Sequence, residues 1–275
     1  MISDVAKHYS SGNLLERLKT MLAEDGVGLD HISAEALAPY DQFHGRGLEA
    51  TVEMADLLGI CAQDRLLDVG CGIGGPARYF AQRFGCDITG IDLTPEFCEV
   101  AQTLTRLLKL DNKVRFELGN ALAMPFAEDS FDGAYSMNVS MNIADKDGFY
   151  REIHRVLRPG GWVMLSEIAK GTGGDPEYPT PWAGSAGTSF LVTPEQTRSG
   201  LAEAGFEIVR VRSTREQALA SGARSRAMVE RGEKPPHRAV ILIHGEIAKA
   251  AMANTARALA DGRLDPIEVL AKKRQ

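Results

Sequence analysis

The chain has 275 residues, of which 44% are hydrophobic and 25% are charged, and its formal net charge at pH 7 is −6. This length and composition predict a globular protein with a sizeable core, in one large domain or two small ones. The acidic balance disfavours a nucleic-acid binder, which usually carries a basic face. No run of 18 consecutive apolar residues occurs, so we expect no membrane insertion.

The cysteines and histidines are not spaced as metal or redox motifs. The polar start of the chain does not resemble a secretory leader. We therefore expect free thiols, no metal site and a cytoplasmic location. The basic stretch "KKR" at 272–274 is expected to be a solvated terminal tail.

The first sixty residues are predicted to be helical. Leucines recur at helical spacing within 13–26, and a second apolar pattern of this kind covers 47–60. The segment 38–47 between them has one proline and two glycines, which predict a loop. We expect residues 1–60 to form a helical lid or cap over a single compact domain, residues 61–275.

From residue 65 the pattern changes to strands that alternate with helices. The predicted strands are 65–69, 86–92, 113–120, 131–138 and 162–168, and the predicted helices are 76–84, 94–110 and 145–161. Alternation of this kind indicates an α/β protein with a parallel sheet and helices on both faces.

The last third of the chain is predicted to complete the same sheet. A long Gly/Pro-rich loop at 169–187 precedes a helix that begins at Thr193, where Gln196 completes a capping box. The runs "FEIVRVRS" (206–213) and "RAVILIHG" (238–245) are predicted as two further strands. The polar segment between them is predicted to be helical and to form a flap.

The stretch "LLDVGCGIGG" (66–75) joins a predicted strand to a predicted helix through a glycine-rich turn. Glycines permit a tight turn and a close approach of a ligand to the backbone, and the helix start offers free N–H groups. The next strand ends in Asp92, which can bind both hydroxyls of a ribose. Asp68 would repel the pyrophosphate of a dinucleotide but complement an ammonium, so the turn favours S-adenosylmethionine over a nicotinamide cofactor.

These motifs, together with "GIDL" (90–93), "GNALAMPFAEDSFD" (119–132) and "REIHRVLRPGG" (151–161), resemble the class I S-adenosylmethionine-dependent methyltransferases. The resemblance covers roughly 40–212 and is greatest to the branch that methylates ubiquinone, menaquinone, sterols and tocopherol. It implies a Rossmann-like fold with a seven-stranded, mostly parallel sheet and a reversed final hairpin. It also implies methyl transfer to a small organic acceptor, with S-adenosylhomocysteine as the second product.

The resemblance assigns the methionine end of the cofactor to the glycine turn. Asp68, Gly70, Gly72 and Gly74 would hold this end, and Met137 would supply a backbone carbonyl near the amino group. These positions match the family motif residue by residue.

The resemblance assigns the adenosine end to the following two strands. Asp92 would bind the ribose hydroxyls and Leu93 would lie against the adenine. Asn120 and Ala121 would flank the adenine. Many family members have Asp where this chain has Asn120, whose amide oxygen can still accept a hydrogen bond from the adenine amino group.

Catalytic candidates come from two places. In the loop, Gln42, Phe43 and His44 would close over the cofactor, and His44 is the first candidate for a general base. Glu167, near the end of a predicted strand, is the second, as a base or as a group that orients the acceptor. Direct displacement from a sulfonium needs alignment more than a base, so neither residue is required for the reaction.

Several alternatives stay open at this stage. Tyr9, Tyr178, Trp182 and Phe190 are expected either to line an acceptor pocket or to anchor loops. A nicotinamide-dependent oxidoreductase, a cyclase or decarboxylase that uses the same site, and a non-catalytic cofactor-binding protein are the rival functions. A homodimer is an open alternative to a monomer.

Overall fold

The fold is taken from a computed structural model that describes residues 8, 9 and 12–275. One seven-stranded sheet has the order β3-β2-β1-β4-β5-β7-β6. Its strands are β1 Arg65–Val69, β2 Asp87–Asp92, β3 Val114–Leu118, β4 Phe131–Met137, β5 Leu157–Lys170, β6 Phe206–Ser213 and β7 Leu264–Lys273. The first five strands are parallel, and β7 is antiparallel to both of its neighbours. The predicted fold class is therefore confirmed.

Ten α-helices complete the described part of the chain. They are α1 Leu14–Glu24, α2 Ala34–Asp41, α3 Leu48–Leu57, α4 Gly75–Phe84, α5 Pro95–Leu107, α6 Lys146–Val156, α7 Pro194–Glu203, α8 Arg215–Glu230, α9 Ala239–His244 and α10 Ala248–Ala260. The capping box of α7 is present, because Thr193 accepts from Gln196 N and Gln196 accepts from Thr193 N. This reciprocal cap confirms the predicted helix start.

The centre of the sheet is buried on both faces. In β1, Leu66, Leu67 and Val69 are fully buried, as expected for a parallel strand covered by helices. The strand order reverses here, because β1 lies between β2 and β4. The chain leaves the carboxyl ends of these strands in opposite directions, which opens a crevice at this edge of the sheet.

The last strand lies where the sequence analysis did not place it. Residues 238–245, predicted as a strand, form helix α9, in which Ala239, Leu242 and Ile243 are buried at helical spacing. A short apolar run fits both structures, and packing decides between them. The strand is Leu264–Lys273, so the prediction of a solvated tail at 272–274 is wrong for Lys272 and Lys273. Lys273 donates to the carbonyl of Leu157 and pairs with Asp129.

The predicted 38–47 loop is partly helical. Helix α2 begins after Ser33, which accepts a hydrogen bond from Ala36 N, and it continues through Pro39 to Asp41. Pro39 favours a loop because its backbone nitrogen has no N–H group to donate to the preceding helical turn. Here Tyr40 is buried and helps to hold the helix in place.

The N-terminal helices are attached to the sheet domain by apolar packing and by a buried ion pair. Leu14, Leu18 and Leu22 of α1 join a core cluster with residues of α5 and α9. The Arg78 guanidinium on α4 lies 2.9 Å from the Asp41 carboxylate at the end of α2, and both side chains are at most 5% exposed. Their role as a lid stays a prediction.

A second helical segment, between β6 and β7, contacts the N-terminal helices. Helix α8 confirms the expectation of helix in 214–237, while α9 and α10 extend the segment to Ala260. Arg238 pairs with Asp25 after α1 and lies over the Tyr40 ring, 4.6 Å from its centroid. The helices outside the sheet therefore form two segments in contact, of which the N-terminal one and only the beginning of the other were predictable from the sequence. We call these two segments the helical cover.

Candidate active site

A cavity of about 670 Å³ lies at the carboxyl ends of β1, β2 and β4. Predicted cofactor residues that line it are Phe43, Gly70, Gly72, Asp92, Leu93, Asn120, Ala121 and Met137. The rest of its lining comes from the end of β2, from the segments after β2, β3 and β4, from α5 and from two aromatic residues outside the sheet: Ile91, Thr94, Phe97, Gly119, Leu122, Asn138, Val139, Asn142, Ile143, Ala144, Asp145, Tyr9 and Phe190. Predicted site residues that do not line the cavity are Gln42, His44, Asp68, Gly74 and Glu167.

The glycine turn is fixed by close packing of protein side chains as well as by backbone conformation. Gly70 and Gly72 have φ angles of 77° and 53°, which favour glycine. A Cβ at Gly70 would lie 2.3 Å from the Val139 side chain, and one at Gly72 would lie 3.0 Å from the Phe43 ring. The glycines therefore let the cavity wall and the 42–44 segment rest directly on the turn.

Asp92 is held in place by the backbone on both sides of the cavity floor. One carboxylate oxygen accepts from Gly72 N at 2.9 Å and the other from Thr94 N at 2.8 Å. Each oxygen keeps a lone pair that can accept a further hydrogen bond. The residue thus links the glycine turn to the start of α5 and offers a paired acceptor for a diol. Thr94 precedes α5 as expected, but its side chain makes no capping hydrogen bond.

Asp68 lies buried beneath the turn with an incomplete set of partners. The residue is 2% exposed, and its Oδ2 has no hydrogen-bond partner. Burial raises the pKa of this carboxyl to about 8; the nearby Tyr135 hydroxyl opposes the shift, and the charge of Asp92 adds to it. A buried carboxyl in this state is stabilised by a cation that supplies the missing charge and hydrogen bond.

Asn120 is oriented by a hydrogen bond inside its own turn. Its Oδ1 accepts from Leu122 N at 3.0 Å. One acceptor position of the amide is therefore used locally, which limits the expected hydrogen bond to an adenine amino group. The residue nevertheless lines the cavity together with Leu93 and Ala121.

The side chains of the 42–44 segment face different surroundings: Phe43 faces the cavity, and Gln42 and His44 lie in the protein interior. The Phe43 ring lines the cavity and packs against Phe97 with centroids 5.2 Å apart. Gln42 Oε1 instead accepts from the Thr51 hydroxyl at 2.6 Å, and the same hydroxyl is 3.1 Å from His44 Nε2. Burial lowers the pKa of His44 to about 3, and His237 adds to the shift. This geometry places His44 in a buried network and does not support its expected role as a base.

Glu167 lies behind the cavity wall, where it supports the segment after β4. It is 3% exposed, and its Oε2 accepts from Ser140 N at 3.1 Å. Burial raises the pKa of Glu167, while the nearby Lys146 ammonium opposes the shift. The Glu167 carboxylate bonds to the backbone of the 138–142 segment and does not face the cavity. Its geometry therefore fits a positioning role better than that of a base.

Sequence reasoning missed several residues of the wall, among them Phe97, Asn138 and Ile143. The Tyr9 hydroxyl donates to Asn142 Oδ1 at 3.0 Å, and Asn142 Nδ2 donates to the carbonyl of Trp182 at 2.7 Å. Asn138 has a φ angle of 57°, a conformation that no sequence signal indicated. Of the four aromatic candidates, Tyr9 and Phe190 line the cavity. Trp182 packs in a separate cluster with Tyr178 at its edge, so these two anchor the 169–187 loop.

Two negative findings apply to the described residues. Within 8, 9 and 12–275, no helix has both the length and the apolar character needed to cross a bilayer. The same residues contain no cluster of three or more histidine, cysteine or acidic side chains that could hold a metal ion.

A seven-stranded sheet of this order, with a cavity at its reversal point, defines a Rossmann-like α/β protein of the methyltransferase type. Residues 67–165 match the family described as "Methyltransferase domain". Residues 67–165 therefore carry a methyltransferase domain, and the predicted resemblance to class I S-adenosylmethionine-dependent methyltransferases is confirmed.

Two curated relatives illustrate the match. The methyltransferase GfsG of Streptomyces halstedii is 32% identical over 168 residues, which cover 60% of this chain and 58% of GfsG. The 24-methylenesterol C-methyltransferase 2 of Oryza sativa subsp. japonica is 42% identical over 119 residues, or 41% of this chain and 33% of the relative. The chain thus spans less than two thirds of the length of these relatives.

Solved structures share the fold over most of the chain. Haemonchus contortus phosphoethanolamine N-methyltransferase 2, in complex with phosphomonomethylethanolamine and S-adenosylhomocysteine, has a TM-score of 0.70 at 24% identity. The match covers 84% of this chain and 54% of that one. The cyclase SpnF has a TM-score of 0.66 at 25% identity and is matched over 94% of both chains.

Proposed function

We propose that this protein transfers a methyl group from S-adenosylmethionine to a small organic acceptor and releases S-adenosylhomocysteine. The observation that carries the proposal is the cavity at the ends of β1, β2 and β4, where residues of the family's cofactor motifs form the lining. The buried Asp68 carboxyl beneath the glycine turn, which does not itself line the cavity, fits the same ligand through its charge, because the methionine end carries an ammonium.

The residues present fit the cofactor at both ends. The carboxylate of Asp92 would accept hydrogen bonds from the ribose hydroxyls, and Leu93 and Ala121 would contact the adenine. Asp68 lies outside the cavity lining, so it would compensate the charge of the ammonium from beneath the glycine turn, and the Met137 carbonyl would accept a hydrogen bond from the ammonium. When bound, S-adenosylmethionine supplies a methyl group on a positively charged sulfur, which is a good leaving group.

The contribution of the chain's own residues is alignment and exclusion of water. Phe43, Phe97 and Phe190 give the cavity an apolar wall in which an acceptor can be held against the cofactor. His44 and Glu167 both lie outside the lining, so this arrangement does not depend on either as a proton acceptor. Asp92 is engaged by backbone N–H groups and serves binding. The acceptor atom, whether carbon, nitrogen or oxygen, stays open.

A cyclase that retains the cofactor site is the second candidate, favoured by the likeness to SpnF over nearly the whole chain. Methyl transfer predicts one S-adenosylhomocysteine for each acceptor consumed, and a cyclase predicts none. The test incubates the protein with S-adenosylmethionine and a panel of phenols, alcohols and amines and measures both species. Conversion of an acceptor without release of S-adenosylhomocysteine would contradict the proposal.

The Asp92→Asn variant serves as the control in that assay. It keeps the size of the side chain but removes the charge, so binding of S-adenosylhomocysteine should weaken by about 1.5–3 kcal/mol. Unchanged affinity would refute the assignment of Asp92 to the ribose. A cytoplasmic location, a homodimer and the absence of a nucleic-acid partner stay predictions.

A further inference from the structure

We infer that the outer part of the cavity accepts an uncharged, largely apolar molecule and rejects acceptors that carry a phosphate or other anionic group. This part, the acceptor pocket, is formed by Tyr9, Phe97, Asn142, Ile143 and Phe190. The inference rests on the proposed function, because it assigns the acceptor to the cavity space that adjoins the cofactor residues.

The inference rests on the charges of the side chains that line the cavity. Among the described residues that line the cavity there is no lysine, arginine or histidine, and the charged side chains are Asp92 and Asp145. A phosphate placed here would lose its hydration without gaining a cation and would face carboxylates instead. Burial of an unpaired charge is strongly unfavourable.

Lys146, a cation behind the pocket wall, is already fully engaged. Its Nζ lies 2.6 Å from the Ser140 carbonyl oxygen, 2.5 Å from that of Ile143 and 2.7 Å from that of Phe190. An ammonium has three N–H donors, so these three carbonyls use all of them. Lys146 therefore fixes two parts of the pocket wall to each other, and it cannot turn to an anion without releasing them.

The acidic residue at the pocket is also committed to the protein. Asp145 precedes helix α6 and accepts from Gly148 N at 2.8 Å. The helix N-terminus compensates part of its charge, and the residue is exposed. A cationic acceptor thus gains little here, which leaves neutral molecules as the class that fits.

One polar anchor remains in the pocket. Because Tyr9 donates its proton to Asn142, the Tyr9 oxygen can accept a hydrogen bond from an acceptor hydroxyl or N–H group. The Asn142 amide nitrogen is used by the Trp182 carbonyl. The pocket therefore suits a mainly apolar molecule with one donor group, in contrast to the phosphorylated ligand of the Haemonchus contortus structure.

The test compares two fluorescent probes that share one skeleton. N-phenyl-1-naphthylamine is uncharged, and 8-anilino-1-naphthalenesulfonate carries an additional sulfonate. Both are titrated into the 275-residue protein with and without S-adenosylhomocysteine. We expect the uncharged probe to bind at least about tenfold more tightly, because the sulfonate is desolvated without a counter-ion. Equal or tighter binding of the sulfonate, or no binding of the uncharged probe, would overturn the inference.

Variants of pocket residues test where the probe binds and why the uncharged probe binds more tightly. Ile143→Arg should narrow or reverse the preference by adding a cation to the pocket, whereas Ile143→Met and the exposed substitution Val229→Arg should leave it unchanged. Phe190→Ala should weaken the uncharged probe; if it does not, the probe binds elsewhere and the inference fails. If S-adenosylhomocysteine does not bind, the proposed function fails, while the titrations without it still decide the probe preference.

Discussion

Asp68 is the residue at which structure and proposed chemistry meet most directly. A buried carboxyl with an unpartnered oxygen and a raised pKa destabilises the folded chain when it ionises. Groups of this kind are concentrated at functional sites, where a ligand completes their interactions. A ligand ammonium would favour the ionised form and lower the pKa of Asp68.

Binding of S-adenosylhomocysteine should therefore depend on pH. In the free protein Asp68 is protonated below its pKa of about 8 and must lose a proton to pair with the ammonium. Affinity should rise with pH up to about 8 and then level off, with a loss of up to about tenfold for each pH unit below that value. Calorimetric titration between about pH 6 and pH 8 measures this slope.

The Asp68→Asn variant is the matched control. Its affinity should be lower than that of the wild type and independent of pH, because the titrating group is gone. An affinity of the wild type that is constant over the same range would show that Asp68 does not change protonation on binding.

The sequence predicted the positions of some site residues better than those of others. Gly70, Gly72 and Asp92 lie in a motif whose geometry is set by a local strand, turn and helix, so their positions at the cavity followed from sequence. The buried position of His44 could not be predicted, because the direction of a side chain outside regular structure depends on distant contacts such as those with Thr51 and His237.

Among the elements, α2 and α4 are joined by the buried pair of Asp41 and Arg78. Arg78 also donates to the Thr105 hydroxyl on α5 at 3.2 Å, so one guanidinium connects three helices. Removal of one partner from a buried pair leaves an uncompensated charge in the interior. The pair therefore ties the N-terminal helices to the helix that follows the glycine turn.

Arg78→Met should lower the free energy of unfolding by about 3–5 kcal/mol, measured by urea denaturation. Arg83→Met is the control on the same helix, because Arg83 pairs with the exposed Asp56 and such pairs contribute about 1 kcal/mol or less. Similar losses of unfolding free energy in the two variants would show that the buried Arg78–Asp41 pair contributes no more to stability than the exposed Arg83–Asp56 pair.

The two-part helical cover predicts a response to ligand. If residues 1–46 close over the bound cofactor, limited proteolysis within them should slow when S-adenosylhomocysteine is added. Arg238→Met, which removes the contact with Asp25 and Tyr40, should accelerate the cleavage in the free protein. Equal cleavage rates with and without ligand would count against a lid.

The elements before residue 213 were largely predictable because strand and helix periods are distinct there, but residues 157–161, predicted as the end of a helix, begin strand β5. The exceptions have identifiable causes. The sequence predicts a strand where α9 lies because five consecutive apolar residues do not define a period. Strand β7 was missed because its basic end resembled a frayed terminus, although antiparallel pairing with β5 and β6 buries most of its length.

At the scale of the whole molecule, the sheet topology places the ends of β1, β2 and β4 beside one another. The family motifs made this cofactor half predictable. The acceptor half combines Tyr9, the segment after β4 and Phe190, which are distant in sequence and come together only through folding. No local pattern indicates such a combination.

The central claim is that the cavity binds S-adenosylmethionine and its product. The most direct measurement is calorimetric titration of the purified protein with S-adenosylhomocysteine, with NADH as the control ligand. We predict one saturable site for S-adenosylhomocysteine and no binding of NADH, because Asp68 and Asp92 complement an ammonium and a ribose but repel a pyrophosphate. Binding of NADH, or of neither ligand, would contradict the account.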